Sequence, residues 1–111
     1  MSCIEPAANW IYLNTSADRD RARDQAEDFC REGGDLSCVA PAKNFFYLNT
    51  SDDGQQAADR AIDFCRHHGD LECVKEAKQW FYLHTSDDGA KATLDAIEEC
   101  SYGRRFDRQR H

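Results

Sequence analysis

A shift of 35 residues brings this chain into register with itself three times. Cys3, Cys38 and Cys73 superpose, and so do Ala7, Ala42 and Ala77. Tyr12, Tyr47 and Tyr82 follow, then Thr15, Thr50 and Thr85, and last Cys30, Cys65 and Cys100. A fixed period of this size marks an array in which each unit buries its apolar face against its neighbours. The units run over 3–37, 38–72 and 73–103, with a basic tail at 104–111. With 111 residues, 41% of them hydrophobic, the chain is expected to fold as one domain around a real core.

Within the middle unit, Pro41 is expected in the first turn of a helix that continues through Ala42–Leu48. Asn49-Thr50-Ser51-Asp52-Asp53-Gly54 reads as a turn, with the hydroxyls as N-cap candidates and the acids in the next first turn. Gln55 to His67 reads as a second helix with Ala57, Ala61 and Cys65 on one stripe. Gly69 is its expected C-cap, and Asp70 opens the next unit. Phe45-Phe46-Tyr47-Leu48 has strand propensity, which leaves a strand–helix repeat as the alternative. The third unit, with Val74-Lys75-Glu76-Ala77-Lys78-Gln79, favours helix. The expected fold is therefore all-α: three stacked helix-turn-helix repeats, a short α-solenoid.

Charge is uneven. Residues 1–100 carry 10 Lys/Arg against 20 Asp/Glu, while Arg104, Arg105, Arg108 and Arg110 face only Asp107 in the tail. An acidic body disfavours direct nucleic-acid binding, which depends on Lys and Arg at phosphates, and favours a basic protein or peptide partner. No stretch is long and apolar enough to span a membrane. Met1-Ser2-Cys3-Ile4-Glu5-Pro6 does not resemble an export signal, so the expected location is cytosolic unless a signal has been removed.

Six cysteines allow several states. In a cytosolic chain, buried reduced thiols are the first expectation. An antiparallel hairpin turning at Ser16-Ala17 also brings Cys3 and Cys30 to its open end. The same holds for Cys38 with Cys65, and for Cys73 with Cys100. Cys30 with Cys38 and Cys65 with Cys73 form a competing scheme across the short inter-unit loops. Soft-metal binding by the thiols is a further alternative, although no Cys-x2-Cys pair occurs.

Ala61-Ile62-Asp63-Phe64-Cys65 through Gly69-Asp70-Leu71-Glu72-Cys73 resembles the junction of cysteine-bearing Sel1-like repeats, which are TPR-like helical hairpins. Ala26 to Cys38 shows the same pattern. The first helix lacks the family's Leu-Gly pair, and Thr-Ser-Asp-Asp-Gly replaces its longer Gly-rich turn. The resemblance implies an adaptor for proteins or peptides rather than a catalyst, and it implies the Cys-x7-Cys pairing. The 35-residue period is also similar to that of pentatricopeptide RNA binders, against which the acidic body argues.

Trp10, Ile11, Tyr12 and Leu13 point all round a helix, with Cys3, Ala7, Trp10 and Ile11 on one side and Tyr12 nearly opposite. Tyr12, Tyr47 and Tyr82, with Trp10 and Trp80, are the candidate partner-binding residues. Packing of the tyrosines between repeats is the competing expectation. Catalytic residues are not expected. His84 with Thr85-Ser86-Asp87-Asp88 sits in a turn rather than in a constellation assembled by the fold. Asp18, Asp20 and Asp24 miss the calcium-loop pattern. Asn14-Thr15-Ser16 and Asn49-Thr50-Ser51 match the N-glycosylation triplet.

The expected function is a non-enzymatic, cofactor-free repeat module that binds a protein or peptide through an aromatic-lined, acidic surface. One alternative is a small acidic inhibitor, viral proteins included, on the basic surface of a nucleic-acid-handling protein. Another is a thiol-based metal binder.

Overall fold

The computed structural model describes residues 3–86 and 88–102. Six α-helices follow in order: α1 Ile4–Asn14, α2 Arg19–Arg31, α3 Leu36–Asn49, α4 Gly54–Arg66, α5 Leu71–His84 and α6 Gly89–Glu99. They pack as hairpins α1/α2, α3/α4 and α5/α6, and neighbouring hairpins meet through α1 and α2 on α4 and through α3 on α6. The strand–helix alternative falls, because Phe45–Leu48 lies inside α3 and no strand occurs among the described residues. The tail at 104–111 and Gly103 lie outside the described residues.

The turn chemistry differs from expectation at three places. Asp18, Asp53 and Asp88 cap α2, α4 and α6, each carboxylate accepting from a backbone N–H in the first turn. The hydroxyls of Thr15, Thr50 and Thr85 serve the preceding helix instead, donating to the carbonyls of Ile11, Phe46 and Phe81. A charged cap is the stronger acceptor at a helix N-terminus, so the threonines are left for the C-terminal carbonyls. Pro41 is the sixth residue of α3 rather than a first-turn residue, because Asp35 caps the helix. The carbonyl of Ser37 consequently has no N–H four residues on, but Ser37 and Pro41 are both exposed and water can satisfy it.

The left-handed residue after α4 is His68 (φ 60°), not Gly69. Gly69 follows it and donates its N–H to the carbonyl of Phe64, closing a Schellman motif. Gly33 (φ 79°) and Gly34 repeat this after α2, with Gly34 N–H on the carbonyl of Phe29. Gly34 and Gly69 are required for closeness: a Cβ would lie 2.7 Å from the Phe29 ring and 2.4 Å from the Phe64 ring. Both rings are buried in the core, and Phe46 meets Phe64 edge-on at 5.4 Å.

Alanine sets the distance between helices. Ala7, Ala42 and Ala77 on the first helices are buried, as are Ala22, Ala26, Ala57, Ala61, Ala92 and Ala96 on the second. The stripe Ala57, Ala61, Cys65 thus faces inward as its spacing predicts. The first repeat carries exposed Arg23 and half-exposed Glu27 where the later repeats bury Ala58 and Ile62, or Thr93 and Ile97.

All six cysteines are paired. Cys3–Cys30, Cys38–Cys65 and Cys73–Cys100 bridge each hairpin at its open end, with Cα separations of 6.0, 5.9 and 5.8 Å. The expectation of reduced thiols is therefore corrected, and so is the Cys-x7-Cys scheme that the Sel1-like resemblance implies. The physical reason is the hairpin itself: it places cysteines 27 residues apart at bridging distance and uses all six. Bridged sulfurs offer no thiolate to a metal.

Candidate functional site

Tyr12, Tyr47 and Tyr82 are exposed at 38%, 53% and 56%, on the side of their helices away from buried Ala7, Ala42 and Ala77. They do not pack between repeats. The residues just before them, Ile11 and Phe46, are the buried ones. Beside each tyrosine lies a cleft, of about 350, 400 and 540 Å³ in successive repeats. Asn9, Asn44 and Gln79 hold one equivalent lining position, and Arg19, Gly54 and Gly89 hold another. Trp10 contributes to the second cleft and Phe45 to the third, so each of these two clefts straddles a repeat boundary.

The three clefts are not chemically alike. In the first, the Arg19 guanidinium lies 4.3 Å from the Tyr12 ring centre, a cation–π contact that covers the ring, and Glu5 and Asp20 add carboxylates. In the second and third, glycine replaces the arginine, and the space where a Cβ would stand is empty. Among the described residues no carboxylate lines either one; their charges come from Lys43, Lys75 and Lys78.

An asparagine–lysine ladder crosses the repeat boundaries. Asn14 donates its side-chain N–H to the carbonyl of Trp10 at 2.8 Å, which orients its Oδ1 to accept from Lys43 Nζ at 3.3 Å. Asn49 repeats the arrangement, donating to Phe45 and accepting from Lys78 Nζ at 2.8 Å. Since both amides serve the helix C-termini and the next repeat, the two glycosylation triplets have their acceptor nitrogens engaged. In the third repeat His84 takes the asparagine position, with Nδ1 3.0 Å from the carbonyl of Trp80 and its ring stacked on the indole at 4.6 Å. Trp80 is therefore occupied by a neighbour within its own helix, whereas half-buried Trp10 packs against the core.

Acidic groups collect elsewhere. Asp28, Asp63 and Glu98 repeat on α2, α4 and α6, beside Arg31, Arg66 and His67. Arg66 donates to Glu32 across the first repeat boundary and holds that carboxyl below the usual carboxylate range. Arg60 does the same for Asp52, through a 2.7 Å bond that ties the second turn to α4.

Other candidates resolve into structure. Thr85 and Asp88 cap helix ends and His84 is stacked, so these groups of the Ser–His–Asp sequence pattern serve local folding; Asp87 lies outside the described residues. Asp18 is an N-cap. Among the described residues no three His, Cys, Asp or Glu side chains gather as a metal site, and no helix is long and apolar enough to cross a membrane.

Leu13, Leu48 and Leu83, each at least 65% exposed beside its tyrosine, and the asparagine–lysine ladder complete this face. The leucines were visible as a 35-residue repeat, but only the fold shows that they point outward. Comparison with family models, with curated proteins and with solved structures gives no match.

Proposed function

We propose that this chain is a non-enzymatic repeat module that holds a protein or peptide along the tyrosine-bearing clefts of its first helices. The observation that carries this reading is an exposed tyrosine at one position of every repeat, each beside a cleft and each followed by an exposed leucine. Folding gives no reason to repeat exposed aromatics, whereas rigid amphipathic rings are well suited to contact. The resemblance to Sel1-like adaptors points the same way. Affinity capture from the native source tests it, with wild type beside a Tyr12→Ala/Tyr47→Ala/Tyr82→Ala variant. Wild type should retain a partner that the variant loses at unchanged melting temperature; equal retention would refute it.

A second reading is the acidic inhibitor on a basic protein surface, favoured by the recurrence of Asp28, Asp63 and Glu98 on the second helices. Salt separates the two, since charge mimicry weakens steeply with ionic strength.

A further inference from the structure

Lys43 and Lys78 stand out in a chain with 21 Asp/Glu. Nearly every other described cation has a carboxylate close by: Arg31 has Asp28, Arg60 has Asp52, Arg66 has Glu32, and Lys75 has Glu72. Lys43 and Lys78 instead rest on the neutral Oδ1 of Asn14 and Asn49. An ammonium has three donors, so this bond leaves two for another acceptor while it fixes the direction of the head group. Both lysines are half-buried, and both line a cleft with a tyrosine, a second amide and, among the described residues, no carboxylate. Gly54 and Gly89 put no side chain over the tyrosines of these clefts, where Arg19 covers the Tyr12 ring.

From this geometry we infer that the second and third clefts bind an extended acidic segment of a partner protein, with one carboxylate at Lys43 and another at Lys78. The inference rests on the peptide-binding reading above and narrows it. The segment packs on Tyr47 and Tyr82, while Asn44 and Gln79 offer amides to its backbone. Lys43 and Lys78 hold the same register position one repeat apart, so the segment runs across the array from one lysine to the other. Tyr12 lies outside this site because Arg19 already covers it. The partner chemistry is thus the opposite of that expected from net charge, because net charge sums over faces that do not meet the ligand.

Selection of a displayed random-peptide library on the bridged protein tests this, followed by anisotropy titration of the enriched peptides. Three variants accompany wild type, each checked by circular dichroism. Lys43→Gln/Lys78→Gln removes both charges. Gly54→Arg/Gly89→Arg copies the first repeat into empty space and covers both tyrosine rings. Lys91→Gln on α6 is the control. Enriched peptides should carry at least two Asp or Glu and weaken roughly tenfold for each lysine removed, as expected for charged hydrogen bonds. They should lose binding to the arginine variant and bind the control as wild type. Basic or uncharged peptides, or acidic ones indifferent to the lysine variant, would overturn this inference and leave the proposed function standing. No enriched peptide of any kind would overturn both.

Discussion

Gly69→Ala should destabilise this protein for a purely steric reason. The added Cβ would lie 2.4 to 2.5 Å from three atoms of the Phe64 ring. Carbon atoms settle roughly 3.5–4.0 Å apart, so the ring or the loop must withdraw by about 1 Å. The ring has little room, since it is buried and meets Phe46 edge-on at 5.4 Å. The same glycine anchors the Schellman motif through its N–H on Phe64, so moving the loop weakens that bond. Overpacking a filled core costs about 1–3 kcal/mol, and so close an approach belongs at the upper end. At roughly 4 °C per kcal/mol for a chain of this size, the melting temperature should fall by about 8–12 °C. Thermal and guanidinium unfolding with the bridges intact measure the effect. Gly34→Ala, at 2.7 Å from Phe29, should cost somewhat less. Gly54→Ala, with nothing within 4 Å, should gain about 0.5 kcal/mol through the unfolded chain. Adding Phe64→Leu to Gly69→Ala should cost less than the sum of the two single changes. A Gly69→Ala melting temperature within a degree of wild type would refute the reasoning, as would strict additivity with Phe64→Leu.

The bridges and the second turn carry further expectations. Each bridge spans 27 residues, worth about 3.6 kcal/mol on the chain-entropy model, so reducing all three should remove most of a typical domain's stability. Melting with and without reductant checks this, and six freely titrating thiols in unreduced protein would contradict the pairing. Ala61→Trp should disrupt the stack by about 3 kcal/mol or more, because Ala61 is fully buried between helices; unchanged unfolding would place that stripe at the surface. Asp52→Asn should cost about 0.5–1 kcal/mol at neutral pH. Because Arg60 lowers the folded-state Asp52 pKa, this contribution is present above the unfolded carboxylate value and is lost as pH falls through the folded one. The difference between wild type and variant should therefore close as pH falls below the ordinary carboxylate range, and a difference unchanged in acid would rule out the ion pair as its cause.

Much of this architecture was written in the 35-residue period. The period located the hairpins, the inward alanine stripe, and the geometry that brings Cys3 to Cys30. What the sequence left obscure was local competition. Asp53 and Thr50 are both good caps, and only the folded turn shows that the carboxylate takes the second helix and the hydroxyl the first. Pro41 pointed to a helix start because its cost in a second turn depends on whether Ser37 is wet. His68 holds the left-handed position because Gly69 is needed against Phe64. At the candidate site the tyrosines were legible as a ladder, but the lysines were not. Asn14 and Lys43 lie 29 residues apart, a spacing with meaning only once two repeats are stacked. Net charge pointed to a basic partner, and the lining of the second and third clefts points to an acidic one.

Hydrogen exchange of the chain, free and with a captured partner, distinguishes the tyrosine face from the acidic one. Added protection is expected in α3 and α5 around Asn44–Leu48 and Gln79–Leu83, with α2 and α4 little changed on their outer faces. Protection confined to α2 and α4, around Asp28 and Asp63, would contradict it and assign the partner to the acidic face.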